Sequence, residues 1–180
     1  FEIILSGESI IENIEKINIF QNISFSLNNE KLLSGEAEDR INILLLGMGG
    51  KGHPGPYLTD TIILVSIQPS TDKVAMISIP RDLSVPIPGY GWRRINEANS
   101  FGETKNNQGA KFATEVISKI FNLPIHYYVR IDFAGFERLI DELGGINIYV
   151  DNEFVDYQFP NDNFGYQTVF FKSGWQTMSG

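Results

Sequence analysis

The spacing of apolar positions changes several times along the chain, and each spacing predicts an element. From Ser9 to Phe20, the residues Ile10, Ile11, Ile14, Ile17 and Phe20 recur at three- and four-residue intervals. This predicts an amphipathic helix, with Ser6 or Ser9 as its cap and Glu12 three residues after Ser9. Asn22–Lys31 is polar, with Phe25 and Leu27 on alternate positions, and reads as a strand. Residues 34–40 are charged and read as a linker. Ile41–Gly47 is a short apolar run ending in glycine, as expected of a buried strand. Residues 47–59 are rich in Gly and Pro and form a loop. Thr61–Gln68 and Val74–Ile79 are two further apolar strands, separated only by a turn that begins at Pro69. So short a connection predicts an antiparallel hairpin.

Beyond the hairpin, Pro80–Gly91 reads as a loop and Ile95–Phe101 as a short helical turn. Gly109–Phe121 places Phe112, Val116, Ile117 and Ile120 on one helical face, and Tyr127–Ile131 is a strand. Phe133–Leu143 is amphipathic and stops at Gly144-Gly145, as a helix C-terminus does. Ile146–Val150 is a strand, Asp151–Gly165 an acidic loop, and Tyr166–Lys172 a strand. Strands alternating with helices, plus one hairpin, predict an α/β fold: a mixed central sheet with helices on both faces. The domain reading is an accessory segment over residues 1–40 and a main domain over 41–180.

Composition narrows the function classes. Of 180 residues, 42% are hydrophobic and 20% charged, which is a globular balance. The net charge of -8 argues against nucleic acid, whose binding requires a broad basic face. The absence of cysteine excludes disulfides, thiol catalysis and cysteine zinc sites. The two histidines, His53 and His126, form no metal-ligand motif.

Gly47-Met48-Gly49-Gly50-Lys51-Gly52 satisfies G-x-G-x-x-G directly after a strand. A dinucleotide site needs a helix next, whose N-terminus holds the pyrophosphate. Here His53-Pro54-Gly55-Pro56 follows, and no acidic residue ends the next strand, so the loop reads as a turn. More telling is what the hairpin brings together. Asp60 precedes its first strand and Arg81-Asp82 follows its second, so all three fall at one sheet edge. A carboxylate for a divalent cation, arginines for phosphate oxygens and bare backbone N–H groups together suit a pyrophosphate. Arg93 and Arg94 add cations downstream.

Read in order, Ile43–Gly47, Thr59–Leu64, Ile77–Asp82, Arg94–Ala98 and Gly102 resemble the core of the LytR–CpsA–Psr family. The likeness continues through Ile125–Val129, Asp132–Phe136, Leu139 to Gly145, Ile148–Val150, Phe171–Gly174 and Met178–Gly180. It covers roughly residues 41–180. It implies an α/β domain enclosing an apolar pocket for a polyprenyl chain, with Mg²⁺ and arginines at the pocket mouth. The implied activity is a phosphotransferase that moves a glycopolymer, such as a teichoic acid or capsule chain, from a polyprenyl-pyrophosphate carrier to peptidoglycan or a related wall acceptor. The implied location is extracytoplasmic, on a membrane anchor upstream of residue 1. By matched position, Asp60 is similar to a metal-binding aspartate, and Arg81 to a pyrophosphate-binding arginine. Asp82 matches the aspartate that orients that arginine or assists the acceptor hydroxyl. Arg94 occupies a basic position.

Two departures bear on activity. The family pattern Gly-x-Asp-x-Arg is replaced by Gly47-Met48-Gly49-Gly50-Lys51, leaving no carboxylate there and Lys51 as a point charge toward the pyrophosphate. The domain is also expected to be cut short at its C-terminal end, before further arginines of the family. The rival reading is therefore a non-catalytic module binding polyprenyl phosphate or glycan.

Overall fold

The computed structural model describes residues 4–5, 32–161 and 165–180. The helix expected from Ser9 to Phe20 and the strand expected at Asn22–Lys31 lie outside the described residues. Two compact units are present, residues 1–133 and 134–180.

The first unit is built on a five-stranded mixed sheet in the order β1-β7-β2-β3-β4. Its strands are β1 (Ile4–Leu5), β2 (Ile41–Met48), β3 (Thr59–Gln68), β4 (Lys73–Ser78) and β7 (Tyr127–Asp132). Strands β2 and β7 run parallel and the other neighbours antiparallel. The expected hairpin is present as β3 and β4, joined by a 3-10 turn at Pro69–Thr71. The segment Pro80–Gly91 is not simply a loop. It holds β5 (Ser84–Ile87), which pairs with β6 (Gly91–Arg94) in a small ribbon. Val85 and Ile87 alternate inward there, a two-position signal too short to stand out around Pro86 and Pro88.

Helices α1 (Glu97–Asn106) and α2 (Gly109–Phe121) close the core over this sheet. Leu44 and Leu46 of β2, Ile62 and Leu64 of β3, and Ala113, Val116 and Ile117 of α2 form one buried cluster. Helix α1 exceeds the short turn expected and is nearly devoid of apolar periodicity. It buries small and polar residues, Ala98, Asn99 and Gly102, which the 3.6-residue pattern does not mark. A Cβ on Gly102 would lie 2.6 Å from the Phe112 Cβ, so α1 and α2 approach at a point only glycine allows.

The second unit contains α3 (Phe133–Glu142, beginning at the boundary), β8 (Ile146–Val150), β9 (Phe154–Pro160), β10 (Tyr166–Phe171) and β11 (Gly174–Met178). β8 pairs with β11 and β9 with β10, both antiparallel. Strand β9 occupies a segment expected to be loop, because its Asp, Gln and Pro residues obscure the alternation. Among the described residues, no helix is long and apolar enough to cross a membrane.

Candidate functional site

The site grows from an irregularity where β2 meets β3. Gly47 pairs with Thr61 and Met48 with Thr59, so Asp60 is the extra residue of a β-bulge. In an unbroken strand Asp60 would share the inward side of Ile62 and Leu64. The bulge turns it outward instead, and its side chain is half exposed. Asp60 thus lies within β3 rather than ahead of it, and the extra backbone residue gives the carboxylate its direction.

The hairpin then does what its topology predicts. Arg81, just past β4, places NH1 3.1 Å from Asp60 Oδ1. Asp82 links two guanidiniums, with Oδ2 3.5 Å from Arg81 Nε and Oδ1 3.4 Å from Arg94 NH1. Arg94, at the end of β6, also meets Glu97 Oε1 at 3.3 Å. The β5–β6 ribbon is what returns Arg94 to this edge: Ser84 pairs with Arg94, and Ile95 N donates to Leu83 O. Asp60, Arg81, Asp82 and Arg94 are therefore contiguous. Lys51 takes no part in these ion pairs and is exposed on the glycine loop.

Each of these four side chains is more than half exposed. Ion pairs of that kind stabilise a fold by about 0–1 kcal/mol each. A ligand that replaces them therefore costs the protein little. Counting the ion-paired groups alone, three carboxylates (Asp60, Asp82, Glu97) face two guanidiniums (Arg81, Arg94).

Sequence reasoning missed the polar residues beneath this edge. Asn96 is 2% exposed, and its Nδ2 donates to Asp60 Oδ1 at 3.4 Å. Arg130 of β7 is fully buried and donates through NH1 to Glu103 Oε2 at 2.6 Å and to Asn99 Oδ1 at 3.1 Å. Asn99 Nδ2 in turn donates to Tyr57 O at 2.7 Å, tying the loop to α1. An arginine inside the otherwise apolar strand Tyr127–Ile131 is the signal that could have found this network. A buried guanidinium requires an acidic partner, although sequence alone does not say which.

The glycine loop is folded on itself rather than onto a helix. Gly50 N donates to Pro56 O, and Gly50 has φ +82°. A Cβ there would lie 2.7 Å from Asp132 Cβ, so the loop packs against a buried carboxylate at the end of β7. A strand follows the loop, consistent with a turn and not with a dinucleotide cradle.

A family profile matches residues 5–180. The chain belongs to the LytR_cpsA_psr family. Among curated members of the family, it is 44% identical over 112 residues to the Oceanobacillus iheyensis polyisoprenyl-teichoic acid–peptidoglycan teichoic acid transferase TagU. That match covers 62% of this chain and 34% of the relative. It is 28% identical to the Bacillus subtilis transferase TagT over 147 residues, covering 79% of this chain and 43% of TagT. Among solved family members, YwtF (TagT) of Bacillus subtilis with bound octaprenyl pyrophosphate lipid superposes with a TM-score of 0.62 at 26% identity. The alignment covers 84% of this chain and 57% of that one. Bacillus subtilis TagV gives a TM-score of 0.61 at 29% identity, over 78% and 52%. The chain thus spans between a third and a half of the length of these curated relatives.

The mixed α/β sheet expected from the sequence is the fold of this family, and the TagT structure of that fold has the prenyl lipid bound. In the present chain, a cleft of about 370 Å³ opens between the β5–β6 ribbon and α2. It is lined by Pro86, Ile87, Pro88, Val116, Ile120 and Lys119, and none of the four ion-paired site residues borders it.

Mg²⁺ fits the residues at the edge in a limited way. Among the described residues, no three His, Cys, Asp or Glu side chains converge as a metal cage. Mg²⁺ does not require one, because it keeps several waters and binds through one or two carboxylates plus substrate phosphates. Asp60 is a single exposed carboxylate of that kind. Beside it, the Oδ1 of the buried Asn96 has no hydrogen-bond partner among the described residues.

Proposed function

We propose that this chain carries the pyrophosphate-handling part of a phosphotransferase that moves a glycopolymer from a polyprenyl-pyrophosphate carrier to peptidoglycan or a related wall acceptor. The observation that carries the reading is the contiguity of Asp60, Arg81, Asp82 and Arg94 at one sheet edge. The transferase activities for which TagU and TagT are named support the substrate class. In this reading the protein works outside the cytoplasm, held at the membrane by an anchor preceding these residues.

The chemistry places few covalent demands on the protein. An acceptor hydroxyl attacks the sugar-side phosphorus, a new P–O bond forms, polyprenyl phosphate leaves with the old bridging oxygen, and the hydroxyl proton passes to water. Negative charge grows on that leaving phosphate. Arg81 and Arg94 are the groups that meet it, each with a planar fork suited to two phosphate oxygens. Asp82 touches both guanidiniums and holds them side by side, so its role is to orient them. Lys51 approaches as a point charge from the loop. Asp60 would hold Mg²⁺, which when bound supplies positive charge to the diphosphate. That charge matters, because the ion-paired groups alone carry one more negative than positive charge and would repel an anion.

The rival is a module that binds polyprenyl phosphate or glycan without transfer. Gly49, where the family pattern has a carboxylate, favours it. Titration with a short polyprenyl pyrophosphate tests the shared part. Arg81→Ala is expected to weaken binding severalfold or more, and unchanged affinity removes Arg81 from the site. Incubating the protein with labelled lipid-linked glycan, Mg²⁺ and acceptor separates the two readings. Release of polyprenyl phosphate marks an enzyme, and binding without release marks the module.

A further inference from the structure

We infer that Asn96 is the positioning residue of this site, fixing Asp60 and Arg81 relative to one another; the inference rests on the pyrophosphate reading above. Asn96 is the N-cap residue of α1. An asparagine in the extended conformation usual for an N-cap turns its side-chain oxygen onto a backbone N–H of its own helix, but Asn96 has helical dihedrals, φ -65° and ψ -17°. This one makes no such cap bond. Among the described residues its Oδ1 has no hydrogen-bond partner, while Nδ2 reaches Asp60. A buried acceptor left without a partner costs stability. Local rules broken in this way collect at functional sites.

The backbone of the same residue completes the clasp. Asn96 O accepts from Thr59 N at 3.2 Å and from Thr59 Oγ1 at 3.4 Å, the residue just before the bulged Asp60. Asn96 N donates to Arg81 O at 3.3 Å. One residue therefore holds the backbone beside the carboxylate, the carboxylate itself and the backbone of the arginine that pairs with it. Thr59 is 1% exposed, so this clasp is dry underneath while Asp60 and Arg81 face water above it. The side-chain amide is the only part of it that a substitution removes, since the two backbone contacts survive any replacement that folds.

The test is Mg²⁺-dependent binding of inorganic pyrophosphate, followed by calorimetry, together with urea unfolding of each protein. Asn96→Ser keeps a favoured N-cap residue but cannot reach Asp60. It is expected to lose about tenfold in affinity while its unfolding midpoint stays near that of the unaltered chain. Asn96→Ala is expected to show the same loss of affinity and serves if Asn96→Ser does not fold. Asp60→Asn combined with Asn96→Ser is expected to bind no more weakly than Asp60→Asn alone. Unaltered affinity in both Asn96 variants, or a further loss in the double variant, overturns the inference while leaving the proposed function standing. If the unaltered chain fails to bind pyrophosphate, the proposed function falls and this inference with it.

Discussion

Replacing Glu103 by alanine is the most direct probe of how this protein supports its site. Glu103 is 12% exposed and Arg130 0%, with 2.6 Å between Oε2 and NH1. The same oxygen accepts the N–H of Gly109, the first residue of α2, at 3.0 Å. Removing one partner of a buried pair weakens the compensation of the charge that stays, at a typical cost of about 3–5 kcal/mol. Partial exposure of Glu103 and the remaining Asn99 Oδ1 at 3.1 Å argue for the lower end, about 3 kcal/mol. Loss of the Gly109 hydrogen bond adds about 1 kcal/mol. The sum, about 4 kcal/mol, corresponds to a fall in urea midpoint of about 2 M at a slope of about 2 kcal/mol/M. Far-ultraviolet circular dichroism is the suitable readout, because α1 and α2 both adjoin the break, whereas the exposed Trp92 reports poorly. Glu103→Leu with Arg130→Met removes both charges and is expected to recover to within about 1 kcal/mol of the parent. A single-variant loss below about 1 kcal/mol, or a double variant no better than the single, would refute the claim that this pair is buried and mutually dependent.

Two further outcomes test other parts of the fold. Asp39 has its carboxyl held below its ordinary value of 3.8, chiefly by the Ser70 hydroxyl and then by the Ser70 N–H and Gln68. A depressed carboxyl contributes stability above its unfolded pKa and loses it as pH falls through the folded one. The stability difference between the parent and Asp39→Asn is thus expected to be full at neutral pH and to shrink as pH drops below 3.8, and a difference that grows in acid refutes this. Gly102→Ala drives a Cβ to 2.6 Å from the Phe112 Cβ and 2.9 Å from Gln108 O. It is expected to destabilise by about 1–3 kcal/mol in urea unfolding despite alanine's better helix propensity, and a stabilised variant refutes the close approach of α1 and α2.

The sequence by itself determined the elements whose faces are uniform and whose ends are marked. Helix α2 appeared at its full extent, Gly109–Phe121, because Val116, Ile117 and Ile120 recur on one face. The β3–β4 hairpin followed from two apolar runs and a turn beginning at Pro69, and with it came the meeting of Asp60 and Arg81. Spacing carries such features because a short turn leaves its strands one way to pair. Tertiary structure alone decided the rest. The bulge that turns Asp60 outward depends on register with Gly47 and Met48, a property of two strands that neither encodes alone. Helix α1 is short of apolar residues, and its Asn99 and Glu103 are held by partners far along the chain, Tyr57 and Arg130. Polar residues are assigned to a core only once their hydrogen-bond partners are known, so neither the Arg130 network nor the clasp at Asn96 was visible before the fold brought those partners together.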